Sequence, residues 1–67
     1  MEISTPRITL GEFLKWVGVA PTGGRAKVLV QSGRVFVNGS AERRRGRRLG
    51  SGDLITVEGR EYRVVAR

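Results

Sequence analysis

Ala26-Lys27-Val28-Leu29-Val30-Gln31-Ser32-Gly33-Arg34-Val35-Phe36-Val37-Asn38-Gly39 is the stretch on which the fold turns. Its first part sets Ala26, Leu29 and Val30 on one face of a helix, and Gly33 stands where a helix ends in a left-handed residue. After Gly33 the period of the apolar residues shortens to two. Arg34 to Val37 therefore reads as a strand, and Asn38-Gly39 supplies the two positive-φ residues of a type I′ hairpin turn, with Ser40-Ala41-Glu42 as the short return strand.

Upstream, Pro21 and Thr22 restart the chain. Thr22 is placed as an N-cap for a helix from Gly23 to about Ser32. Gly23 and Gly24 are poor helix formers, each costing about 1 kcal/mol against alanine, so something must come close to the backbone there. A phosphate fits, and so does the preceding helix. That helix is predicted from Leu10, because Thr9 and Glu12 have the spacing of a capping box. Leu10, Phe13, Leu14 and Val17 make its apolar stripe, Gly18 its stop, and Lys15 faces solvent. Residues 1–8, with Pro6 and only Ile3 and Ile8 as apolar anchors, read as an extended lead-in or short edge strand.

Downstream, the pattern breaks. Arg43-Arg44-Arg45-Gly46-Arg47-Arg48 holds no apolar residue and cannot join a core. Leu49 returns to it, Gly50-Ser51-Gly52-Asp53 is turn material with Asp53 as its cap, and Leu54–Val57 and Arg60–Val65 flank a Glu58-Gly59 turn. Counting across that turn puts Ile55 opposite Tyr62 and Val57 opposite Arg60. Ile55, Val57, Tyr62 and Val64 then share the face that meets the helices. The expected fold is α+β over residues 1–67 as one domain: two short antiparallel helices packed on a small, mainly antiparallel sheet, with the arginine segment, 43–48, as a basic loop projecting from it.

Composition bounds the function. A chain of 67 residues has room for one core and little apolar surface to spare for a deep substrate cleft. Cysteine and histidine are both absent, which removes disulfides, thiolate nucleophiles and the usual zinc ligands, and no cofactor is implied. The few carboxylates are scattered, with no spacing that pairs them for acid–base catalysis, so the reading is not an enzyme. Thirteen Lys and Arg oppose six Asp and Glu, a net charge of +7. Residues 1–33 carry four bases and two acids, net +2, and residues 34–67 carry nine and four, net +5. Such an excess calls for a polyanionic partner gripped mainly by the second half. No apolar run has the length of a secretory or membrane-spanning segment, which gives the expectation of a cytoplasmic protein.

The order of these elements resembles the S4-type RNA-binding domain, and within it the short, free-standing bacterial members. The likeness rests on Leu10 and Leu14, on Thr22 with Ala26, on the run from Leu29 to Gly39, and on Gly52-Asp53-Leu54-Ile55-Thr56-Val57. It implies the S4-like, or alpha-L, arrangement and binding to structured RNA, ribosomal or transfer, by a ribosome-associated protein. Many such domains open the second helix with Ser-Arg where this chain has Thr22-Gly23, so Arg25 and Lys27 stand in for that arginine. The expected RNA-binding residues are Lys15, Thr22, Gly24, Arg25, Lys27, Arg43, Arg44, Arg45, Arg47 and Arg48.

Arginine suits this task because its planar fork donates in parallel to phosphate oxygens and sheds water more readily than an ammonium. Trp16 and Phe36 are the only aromatics placed to face outward, and Trp16 beside the stripe reads first as a partly buried rim of the core. Two aromatics are too few for a sequence-reading platform, so recognition of RNA shape is expected. The competing function is a small protein-interaction module docking an acidic partner on a ribosomal or replication complex, since arginine binds carboxylates as well. A monomer is expected, with no membrane and no small-molecule substrate.

Overall fold

The computed structural model describes residues 2–66. Met1 and Arg67, the ends of the expected domain, lie outside the described residues. The chain runs β1 (Glu2–Thr5), α1 (Leu10–Trp16), α2 (Gly23–Gln31), β2 (Val35–Val37), β3 (Ser40–Ala41), β4 (Leu54–Val57) and β5 (Arg60–Ala66). The strands form one sheet in the order β1-β5-β4-β2-β3.

Each element begins and ends for a local reason. Thr9 and Glu12 close a full capping box at the start of α1. The Thr22 hydroxyl accepts from the Arg25 N–H, 3.2 Å away, at the start of α2. Gly18 (φ 81°) and Gly33 (φ 79°) follow the two helices in the left-handed region, where a Cβ is penalised. Both hairpins turn through paired positive φ values, Asn38 (52°) with Gly39 (85°) and Glu58 (51°) with Gly59 (74°).

The second hairpin has the register counted from sequence, Ile55 opposite Tyr62 and Val57 opposite Arg60. β2 pairs antiparallel with β4, Val35 opposite Val57, so the first hairpin joins the second edge to edge. Asn38 ties this join. Its N–H donates to the Leu54 carbonyl (2.8 Å), its Oδ1 accepts from the Leu54 N–H (2.9 Å), and its amide donates to Asp53 (3.0 Å). Asp53 also accepts from the Gly50 N–H at 2.8 Å, the turn-capping part expected of it. Partial burial pushes the Asp53 carboxyl up, but the Gly50 and Asn38 hydrogen bonds and the charge of Arg47 outweigh that and hold it below its ordinary value.

The lead-in strand forms as an edge strand and brings a difference: β1 lies parallel to β5, Glu2 opposite Arg63 and Thr5 opposite Ala66. The sheet is therefore mixed, antiparallel elsewhere. Its inner face meets the helices. Leu10, Phe13 and Leu14 from α1, Ala26, Leu29 and Val30 from α2, and Val35, Val37, Ile55, Val57, Tyr62 and Val64 from the strands are all buried, with Leu49 closing the cluster. Phe13 and Tyr62 meet edge to face, ring centroids 5.9 Å apart. Burying a side chain of this size stabilises by roughly 1.5–3 kcal/mol. Val28, off the buried face of α2, is 58% exposed.

Candidate functional site

The arginine segment does not project freely. Its backbone is docked on the start of α1. The Leu10 N–H donates to the Arg47 carbonyl (2.8 Å), the Gly11 N–H to the Arg45 carbonyl (3.0 Å), and the Leu49 N–H to the Ile8 carbonyl (3.1 Å). Thr9 and Arg48 form an antiparallel bridge. The first N–H groups of a helix have no partner within it, and here loop carbonyls supply one. The segment expected to project as a loop is held by its backbone against the helix instead.

Two glycines seat two of its side chains. A Cβ built on Gly11 would stand 2.8 Å from Cγ of Arg45, and one on Gly33 would stand 3.2 Å from a guanidinium nitrogen of Arg43. Arg45 thus lies across the first turn of α1, and Arg43 lies against the end of α2. Sequence reasoning missed Gly11. A glycine inside a helix, costing about 1 kcal/mol, was the available signal.

Between α1, the first turn of α2 and the loop is a groove of about 220 Å³, bordered by Glu12, Lys15, Gly23, Ala26, Arg45 and Gly46. Lys15 lies one turn beyond Gly11 on the flank of α1, and Lys27 one turn beyond Gly23 on the flank of α2. Arg48 and Lys15 both act electrostatically on Glu12, but the bonds from the Thr9 N–H and hydroxyl contribute most to holding that carboxyl below its ordinary value. A Cβ on Gly23 would meet nothing within 4 Å, and one on Gly24 only the Thr22 hydroxyl at 4.0 Å. The preceding helix therefore does not explain these glycines, and the start of α2 is open.

The expected residues are thus distributed unevenly. Lys15 and Arg45 border the groove, and Arg48 stands near its Glu12 rim. Thr22, Gly24, Arg25 and Lys27 are exposed along the beginning of α2. Arg44, 82% exposed, pairs with Glu42 at 3.3 Å, a surface ion pair of small worth. Arg43 sits at the far end of α2 beside Gly33, and the half-buried Arg47 lies toward Asp53. Trp16 is 56% exposed, more open than the core-rim position expected of it, because it follows Lys15 on the solvent side of α1.

Two helices laid on one face of a mixed sheet, with a docked basic loop at one end, make a small α+β domain with a basic groove. The model of the S4 domain family matches residues 1–65, and the chain belongs to that family. It is 44% identical over 59 residues to the probable ribosome maturation protein RlbA of Bacillus subtilis, covering 88% of this chain and 83% of that one. It is 31% identical over 61 residues to the putative RNA-binding protein YbcJ of Escherichia coli, covering 91% and 87%. The solution structure of YbcJ, described as having an αL motif involved in RNA binding, superposes with a TM-score of 0.71 at 29% identity over 97% of this chain and 86% of that one. Ribosomal protein S4e of Thermoplasma acidophilum shares the fold at a TM-score of 0.63 and 24% identity, over 88% of this chain and 31% of that one.

Proposed function

We propose that the chain binds structured RNA, ribosomal or transfer, through phosphate and shape readout, and acts by binding and not by catalysis. The observation that carries this reading is the meeting of Lys15, Arg45 and the open first turn of α2 around one groove. A helix N-terminus and two cations border it, an arrangement that attracts a phosphate. Arg25, Lys27 and Arg48 extend the basic surface from the groove, with Thr22 and Gly24 leaving the backbone accessible. Arg43, Arg44 and Arg47 flank it. The net charge of +7 and the names of the relatives, one a putative RNA-binding protein and one a probable ribosome maturation protein, support the same reading. Trp16 adds one stacking surface beside Lys15. With Phe36 as the other exposed aromatic, 39% open, the target is a bulge, loop or junction whose shape fits the surface. The protein works as a monomer in the cytoplasm without a cofactor.

The test is charge reversal at two exposed positions, Arg25→Glu together with Arg44→Glu. Affinity for a folded ribosomal or transfer RNA falls at least about tenfold and the slope of log K against log[salt] becomes shallower by about 1.4, while the melting temperature stays within about 2 °C. Unchanged affinity and slope refute the reading. Partners retained from a lysate after ribonuclease digestion, and lost in the double variant, would identify an acidic protein as the target instead.

A further inference from the structure

The groove contains one feature that phosphate binding does not use. Glu12 stands at its rim, and the Thr9 hydrogen bonds keep its carboxyl ionised well below neutral pH. A carboxylate repels phosphate. Its part in the capping box does not require charge either, because glutamine closes the same box, and both Thr9 bonds go to one oxygen, Oε1. At about 220 Å³ the groove is smaller than the roughly 300 Å³ at which pockets for drug-sized ligands begin. It has the scale of a single base and not of a strand segment. Its glycine walls are open, since a Cβ on Gly23 or Gly46 would meet nothing within 4 Å.

Building on the RNA-binding reading, we propose that the groove seats a single nucleotide extruded from folded RNA and selects guanine. The phosphate lies between Lys15 and Arg45, and the Watson–Crick edge of the base donates to the Glu12 carboxylate. The selectivity follows from donor inventory. An ionised carboxylate only accepts. Guanine presents two adjacent donors, N1–H and the N2 amino group, which converge on Oε2, the oxygen that the two Thr9 bonds leave free. Adenine and cytosine place a ring acceptor beside their amino group, and uracil flanks its single N–H with two carbonyls, so each sets an acceptor against the carboxylate. Unstacked bases in bulges and loops are the elements of RNA whose edges a protein reads this way.

Four RNA hairpins identical except for one bulged nucleotide test the assignment, titrated at fixed salt against the wild-type protein and three variants. The wild type binds the bulged-G hairpin at least about tenfold more tightly than the bulged-U one, in line with a two-donor base contact. Glu12→Gln, which preserves the capping box, narrows that ratio to within about threefold without weakening the bulged-U complex. Thr9→Ala breaks the box, leaves the carboxylate and keeps the preference. Lys15→Gln weakens all four complexes alike. Equal affinity for the four hairpins, or a preference that survives Glu12→Gln or disappears in Thr9→Ala, overturns the guanine site while RNA binding stands. Failure to bind any of the hairpins overturns both.

Discussion

Both helices begin at a threonine whose hydroxyl accepts from the backbone N–H three residues on, yet the two starts are used differently. At α1 the capping box is reciprocal, and carbonyls of Arg45 and Arg47 take the N–H groups of Gly11 and Leu10. At α2 the cap is one-sided, no acid stands in the first turn, and nothing approaches a Cβ built on Gly23 within 4 Å. The chain closes one helix start with its own loop and leaves the other open beside it. The closed start fixes where the arginines stand, and the open start is where they and the backbone face the same space. On the proposed reading the start of α1 holds the fold and also walls the groove, whereas the start of α2 serves binding alone.

The largest effect comes from prising the closed start apart. Gly11→Val sets a branched side chain where even a Cβ would lie 2.8 Å from the Arg45 stem. The contact is with Cγ, so relief requires Arg45 to turn about χ1 or the loop to move. A cost of about 1–3 kcal/mol is expected from such overpacking, visible as a lower midpoint in urea, together with weaker RNA binding because Arg45 leaves the groove. An unchanged midpoint with unchanged affinity would mean that the loop is not held through this seat.

A smaller effect separates the two caps. Thr9→Ala and Thr22→Ala each remove one hydroxyl, a change of about 1 kcal/mol on average. Thr9→Ala falls at the upper side of that range, because Glu12 Oε1 loses the hydroxyl's bond (2.9 Å) and the docked loop rests on the same turn. Thr22→Ala falls at the lower side but costs more in RNA affinity, since its helix start faces the ligand. Denaturant midpoints and RNA titrations of the two variants, compared as a pair, show opposite rank orders if the division holds. The same order in both measurements breaks it.

How much of this was legible before the structure follows from what each feature is made of. The capping box of Thr9 and Glu12, the N-cap at Thr22, the turns at Asn38-Gly39 and Glu58-Gly59 and the register of the second hairpin are local, and short spacings of particular side chains encode them. The parallel pairing of β1 with β5 joins opposite ends of the chain with no turn between them, so no neighbouring residues announce it. The docking of the arginine loop is made by backbone carbonyls, which any sequence carries, and the composition of 43–48 pointed to solvent instead. Of the candidate site, the residue types were readable from charge. Their grouping was not, because it depends on Gly11 and Gly33 letting Arg45 and Arg43 lie flat. The exposure of Trp16 is underestimated from sequence: its place beside the stripe faces outward but reads first as a rim of the core, and it is 56% exposed.

The gentlest probe of the comparison is acid. The Glu12 carboxyl titrates below its ordinary value of 4.5, chiefly because the Thr9 backbone N–H and hydroxyl bond to its charged form. A carboxyl lowered by folding contributes stability that is fully present above the unfolded-chain value and is lost as pH falls through the lower folded value. Between neutral pH and about 4.5 the closed start of α1 should therefore be unaffected by this group, and below that it should loosen. The first turn of α2 holds no acid and has no such dependence of its own. Amide chemical shifts of Glu12 and Arg25, followed by NMR from pH 6 down to about pH 2, measure the two starts in one titration. The Glu12 amide, which donates to Thr9, moves with an inflection below 4.5, and the Arg25 amide, which donates to Thr22, does not follow it. Glu12→Gln removes that inflection while keeping the box. If both amides moved together in the wild type, acid would be loosening the whole fold, and the two helix starts would not be independent units.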